Sequence, residues 1–124
     1  MHTFVIPDYL PPTLNVLLNR HWTVRHRASK ECKSLVIAYS SLSRIPAATG
    51  KRRVSVTFSS RRKIVSDEDA RVKLLLDALV CAGLLVDDSP QWCELGRMQS
   101  VSGQVRETVV LLEEIEIAGE VLPT

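Results

Sequence analysis

Asp67, Glu68 and Asp69 stand side by side ahead of an apolar run, and Asp87 and Asp88 close that run. Like charges repel, so a chain that gathers these carboxylates around one segment must neutralise them. Their hard oxygen ligands suit Mg2+ or Mn2+. Such an ion polarises a phosphoryl oxygen and lowers the pKa of a bound water, which is the chemistry of phosphodiester hydrolysis. Asp69, Lys73 and Asp77 recur every four residues and so line one helix face. Lys73 is thereby held one turn from the carboxylates, where an ammonium can neutralise charge on a pentavalent intermediate or a leaving oxygen. The basic run Arg61-Arg62-Lys63 lies just upstream and would draw in a phosphate chain. The same residues also have a purely structural reading. Ser66 suits an N-cap with Asp69 as a variant capping-box partner, acids in a first turn suit the helix dipole, and Asp87-Asp88-Ser89-Pro90 is good turn chemistry.

The elements that must position these groups follow from periodicity. Val72, Leu75, Leu76, Leu79 and Val80 make an apolar stripe, which predicts a helix from Asp67 to Ala82 with Gly83 as its C-terminal cap. Leu84-Leu85-Val86 reads as a short buried strand or turn entry that anchors Asp87 and Asp88 at its end. A hairpin-like return after Gly83 would bring that doublet back towards the start of the helix. Upstream, residues 3–6 read as a strand that Pro7 and the Pro11-Pro12 pair stop. Residues 26–42 look helical, with Leu35, Tyr39 and Leu42 at helical spacing, and residues 54–58 alternate as a half-buried strand. Residues 91–103 suit a strand with a hairpin turn near Ser102-Gly103, and residues 106–117 suit a central or paired strand. The order is that of an α/β (α+β) domain, a small mixed β-sheet packed with two main helices.

The 124 residues fit a single domain spanning 1–124, large enough to bury a core. Cys32, Cys81 and Cys93 are scattered and odd in number, so they read as small hydrophobes rather than a disulfide framework or a zinc pattern. No apolar run reaches membrane-spanning length, and the N-terminus lacks the pattern of a signal peptide, so no membrane association and a cytoplasmic location are expected. Charge is unevenly divided. Residues 1–63 hold 12 Lys/Arg against 2 acids, and residues 64–124 hold 4 against 12. That asymmetry fits either a polyanion partner for the basic half or two halves that neutralise each other.

In its acidic block the chain resembles the RusA-type Holliday-junction resolvases. That family carries an Asp-x-Asp-Asn motif, a lysine, an Asp-Ala-Leu step, an Ala-Gly and an Asp-Asp pair. Here the matching residues are Asp67-Glu68-Asp69-Ala70, Lys73, Asp77-Ala78-Leu79, Ala82-Gly83 and Asp87-Asp88, with no gap. The family also opens with a strand followed by Pro-Pro-Ser-x-Asn and a basic region, similar to Pro11-Pro12-Thr13-Leu14-Asn15 and Asn19-Arg20-His21 here. The likeness runs from about Thr3 to about Ile117. It implies a RusA-like homodimer that cuts four-way DNA junctions symmetrically with Mg2+. It assigns metal binding and catalysis to Asp67, Asp69 and Asp88, and the catalytic lysine to Lys73. There are two departures. Ala70 replaces the motif's asparagine and cannot hydrogen-bond through its side chain, and Glu68 adds a carboxylate where the family usually has an apolar residue.

Two other readings compete. Pro7-Asp8 followed by Glu31-Cys32-Lys33 mimics a PD-(D/E)xK nuclease signature, but that motif needs its Glu-x-Lys on a strand and here the segment reads as helix. A non-catalytic protein that binds branched DNA would use the same phosphate contacts, for which the candidates are Arg20, Arg25, Arg27, Arg52, Arg53, Arg61, Arg62 and Lys63, joined by Asn15. A regulatory protein whose acidic half meets its own basic half, or a basic partner, is a third class.

Overall fold

The computed structural model describes residues 1–12, 22–61 and 68–115. Its elements, in chain order, are β1 (His2–Pro7), α1 (Trp22–Leu42), β2 (Arg52–Ser60), α2 (Glu68–Cys81), β3 (Cys93–Ser102) and β4 (Glu107–Glu114). The strands form one mixed sheet in the order β1-β4-β2-β3. β4 pairs antiparallel with both β1 and β2, while β3 pairs parallel with β2. A parallel pair needs a crossover connection, and α2 supplies it.

Alternation along the strands sends one face of the sheet into the core. Phe4, Val110 and Val56 lie opposite one another across three strands, as do His2, Leu112 and Val54. Phe4, Ile6, Val54, Val56, Phe58, Val110 and Leu112 are all buried. The two helices supply the rest of the core and pack against each other. The opposite face carries Thr3, Ser55, Thr57, Gln99 and Arg97 among Val109 and Leu111. This is the one-sided pattern usual for sheets with antiparallel pairs.

The predicted elements are present, with local differences. α1 begins before residue 26, and its buried line is Cys32, Val36 and Ser40 rather than Leu35, Tyr39 and Leu42. Leu35 and Tyr39 flank that line, and Leu42 is 76% exposed. α2 buries Val72, Leu75 and Leu79 as its stripe predicts, and adds Leu74 and Ala78. Gly83 is the cap, in the left-handed region at φ 79°. The Leu84 N–H donates to the Leu79 carbonyl at 2.9 Å and the Gly83 N–H to the Val80 carbonyl at 3.0 Å, which is a Schellman ending. Leu84-Leu85-Val86 is not a strand, although Leu84 and Leu85 are buried as an anchor. The hairpin near Ser102-Gly103 is absent: β3 and β4 follow each other in sequence but β2 lies between them. The physical reason is that β3 leaves the crossover parallel to β2, and β4 returns antiparallel into the slot between β1 and β2. Cys32 and Cys93 are buried as small hydrophobes, whereas Cys81 is exposed. No described helix is long and apolar enough to cross a membrane.

Candidate functional site

α2 sets the geometry of the acidic cluster. Asp69 belongs to its first turn, and Lys73 and Asp77 follow at one-turn intervals on its exposed side, clear of the buried stripe. The start of this helix lies at the sheet end formed by the close of β1 and the beginning of β4. The Arg71 guanidinium there donates to the Pro11 carbonyl. Burial and the neighbouring Arg106 guanidinium hold Arg71 below the usual arginine range. Asp67 lies outside the described residues.

Asp87 and Asp88 are exposed at the other end. The Ala48 N–H donates to the Gly83 carbonyl at 2.9 Å, and the Arg52 N–H donates to the Trp92 carbonyl at 3.1 Å. The Ser89 carbonyl accepts from the Trp92 and Cys93 N–H groups, both at 2.9 Å, which ties the doublet's neighbour to the start of β3. Burial, with the Asp88 charge second, pushes the Cys93 thiol up. Cys93 pairs with Arg52 at the beginning of β2, whereas Arg71 and Arg106 mark its far end. At 1.5 Å per residue the helix between the two acidic groups is about 20 Å long. Oxygens that share one Mg2+ each sit about 2 Å from it. Asp88 thus belongs to the sheet end where β2 begins, and the start of α2 to the end where β2 finishes. After Gly83 the loop is tied to the start of β2, since the Leu84 carbonyl accepts from the Arg52 guanidinium. Among the described residues no three His, Cys, Asp or Glu side chains converge as a metal-holding group.

The basic candidates divide sharply. Arg25 and Arg27 are exposed near the start of α1. Arg61 is exposed, and its Nε donates to the Gln104 carbonyl at 2.8 Å. Arg53 is part-exposed and engaged by Glu94 at 2.5 Å, with Glu113 at 3.9 Å. Arg52 is no phosphate ligand: it is 1% exposed, its Nε donates to Glu114 Oε1 at 2.8 Å and its NH1 to the Leu84 carbonyl at 3.0 Å. It ties the loop after α2 to the end of β4. Asn15, Arg20, Arg62 and Lys63 lie outside the described residues. Glu31 and Lys33 are on α1, so the PD-(D/E)xK pattern lacks the strand it needs.

Arg106 is the residue that sequence reasoning passed over. It stands just before β4, and nothing in its local pattern marks it. Only the pairing of β4 with both β1 and β2 brings it beside Pro7, Asp8 and Arg61 around a cleft of about 650 Å3. No family model matches the chain, and no curated protein matches it.

Proposed function

We propose that the chain is a Mg2+-dependent endodeoxyribonuclease that cuts branched DNA, with the four-way junction as substrate and Mn2+ as the alternative ion. Support comes from one arrangement: α2 places Lys73 and Asp77, one and two turns after Asp69 in its first turn, exposed and clear of the core. The metal, when bound, supplies Lewis acidity and a water of lowered pKa. Asp67 and Asp69 from one protomer and Asp88 from a second copy would hold it, a division suggested by Asp88 and the start of α2 belonging to opposite sheet ends. Lys73, one turn from Asp69, neutralises charge on the phosphorane or the leaving oxygen. A C2 homodimer built this way has two equivalent sites, which matches paired nicks across a near two-fold junction.

A second reading is a non-catalytic binder of branched DNA. Ala70 favours it, standing where the resembled family has asparagine. A nicking assay on four-way junction, Y-shaped and linear duplex DNA, with and without Mg2+, separates the two. Asp69→Asn is expected to lower cleavage by more than the about 100-fold that losing an outer-sphere partner costs. Junction binding should stay equal or tighten, since repulsion towards phosphate falls. A variant that cuts as fast as the parent removes Asp69 from the chemistry. A parent that binds junctions but never nicks them establishes the second reading.

A further inference from the structure

We propose that the cleft bounded by the ends of β1 and β2 and the start of β4 is a phosphodiester-binding site on the DNA track, with Arg61 and Arg106 as its two guanidinium clamps. The proposal rests on the branched-DNA reading and adds to it a site and a residue.

Each guanidinium is held by a backbone carbonyl. Arg61 Nε donates to Gln104, and Arg106 NH1 donates to Asp8 at 3.2 Å. Asp8 sits in the left-handed region at φ 52°, so the chain turns sharply after β1. A guanidinium has five N–H donors, so one carbonyl bond aims the fork without exhausting it. Planar forks of this kind match phosphate oxygens. Pro7 and Val105 give the cleft apolar wall, suited to a deoxyribose beside the phosphate, and the volume of about 650 Å3 falls within the range of ligand sites. Arg71 lies near Arg106, so a third positive charge stands at the same sheet end. Clustered like charges favour an incoming anion.

Two carboxylates, Asp8 and Glu107, also line the cleft. Asp8 is 92% exposed with Oδ1 3.9 Å from Arg106 NH1, an open ion pair that holds the arginine weakly and gives way to phosphate. Position supplies the remaining argument: the start of α2, with Asp69 in its first turn, lies at this same sheet end. A strand gripped in the cleft is delivered beside the acidic helix start, not beside Asp88.

The test uses the full chain and a fluorescent four-way junction, with Ca2+ replacing Mg2+ to suspend cutting, and measures affinity across a salt series. The double variant Arg61→Gln/Arg106→Gln removes both charges, and the new amide at position 61 can still donate where Arg61 Nε does, to the Gln104 carbonyl. Its melting curve should match the parent's. Affinity should fall roughly tenfold or more, and the log–log salt slope should become shallower by about 2. Arg61→Lys/Arg106→Lys, which keeps the charge, should recover the slope. Arg44→Ala, outside the cleft, should change neither. A parent and glutamine variant with the same affinity and slope overturn the cleft and leave the nuclease reading standing. A parent that binds with the expected slope change yet never nicks in Mg2+ overturns the nuclease chemistry and keeps the cleft. A parent that binds no DNA overturns both.

Discussion

Arg52 and Arg61 belong to the same basic half, yet Arg52 is buried and Arg61 exposed. Arg52 is enclosed and spends its donors on Glu114 and the Leu84 carbonyl. Its partner Glu114 is about half exposed, so removing the arginine does not strand a buried charge. What is lost is packing of the long side chain and two hydrogen bonds to or from charged groups. Arg52→Ala should therefore lower stability by about 2–3 kcal/mol, read from urea unfolding. The salt slope of DNA binding should stay that of the parent. A shallower slope with unchanged stability would return Arg52 to the phosphate contacts. Burial, not residue type, makes Arg52 a structural arginine.

The C-terminal end of α2 fixes where the Asp87-Asp88 loop goes. Gly83 at φ 79° ends the helix in the left-handed region, and Leu84, in the Schellman ending, packs into the core three residues past the end of α2. A Cβ at Gly83 would meet nothing within 4 Å, so a substitution there is opposed by conformation alone. Gly83→Ala should cost about 1–2 kcal/mol of stability by thermal or urea unfolding. Gly96 is the contrasting case. It lies beside the irregularity where the β2–β3 register shifts, and a Cβ there would collide with Ser55 Oγ. Its requirement is space, set by the neighbouring strand. An equal tolerance for alanine at Gly83 and at a solvent-exposed helical site would show that the left-handed cap is not needed.

At the scale of the whole molecule, the proposed reading divides its metal site between protomers, because Asp88 and the start of α2 belong to opposite sheet ends. That arrangement has a genetic signature. Asp69→Asn and Asp88→Asn homodimers each lack every complete site. A mixed dimer regains one complete site, because the unaltered Asp69 of one protomer meets the unaltered Asp88 of the other. Mixing the two inactive variants should restore Mg2+-dependent nicking of a junction, as single nicks instead of paired cuts. A site contained in one protomer predicts no recovery at all, since each chain would carry one defect. Mixtures in which subunit exchange is verified and nicking stays absent would end the two-protomer arrangement.

The identity and type of the elements were legible in the sequence, because they rest on patterns local to a few residues. The stripe of α2 and its glycine cap can be read without knowing the fold, and the exposed placement of Lys73 and Asp77 follows from the same period. The β-rich character of residues 107–114 is equally local. The tertiary structure alone decided three things. It inserted β4 between β1 and β2, which abolished the expected β3–β4 hairpin. It buried Arg52 and brought Arg106 beside Arg61. It also placed Asp88 at the sheet end opposite the start of α2. Each depends on which strands pair and in which direction. That choice is made by non-local burial of whole sheet faces, and a helix cannot bend to join carboxylates that happen to lie close in sequence.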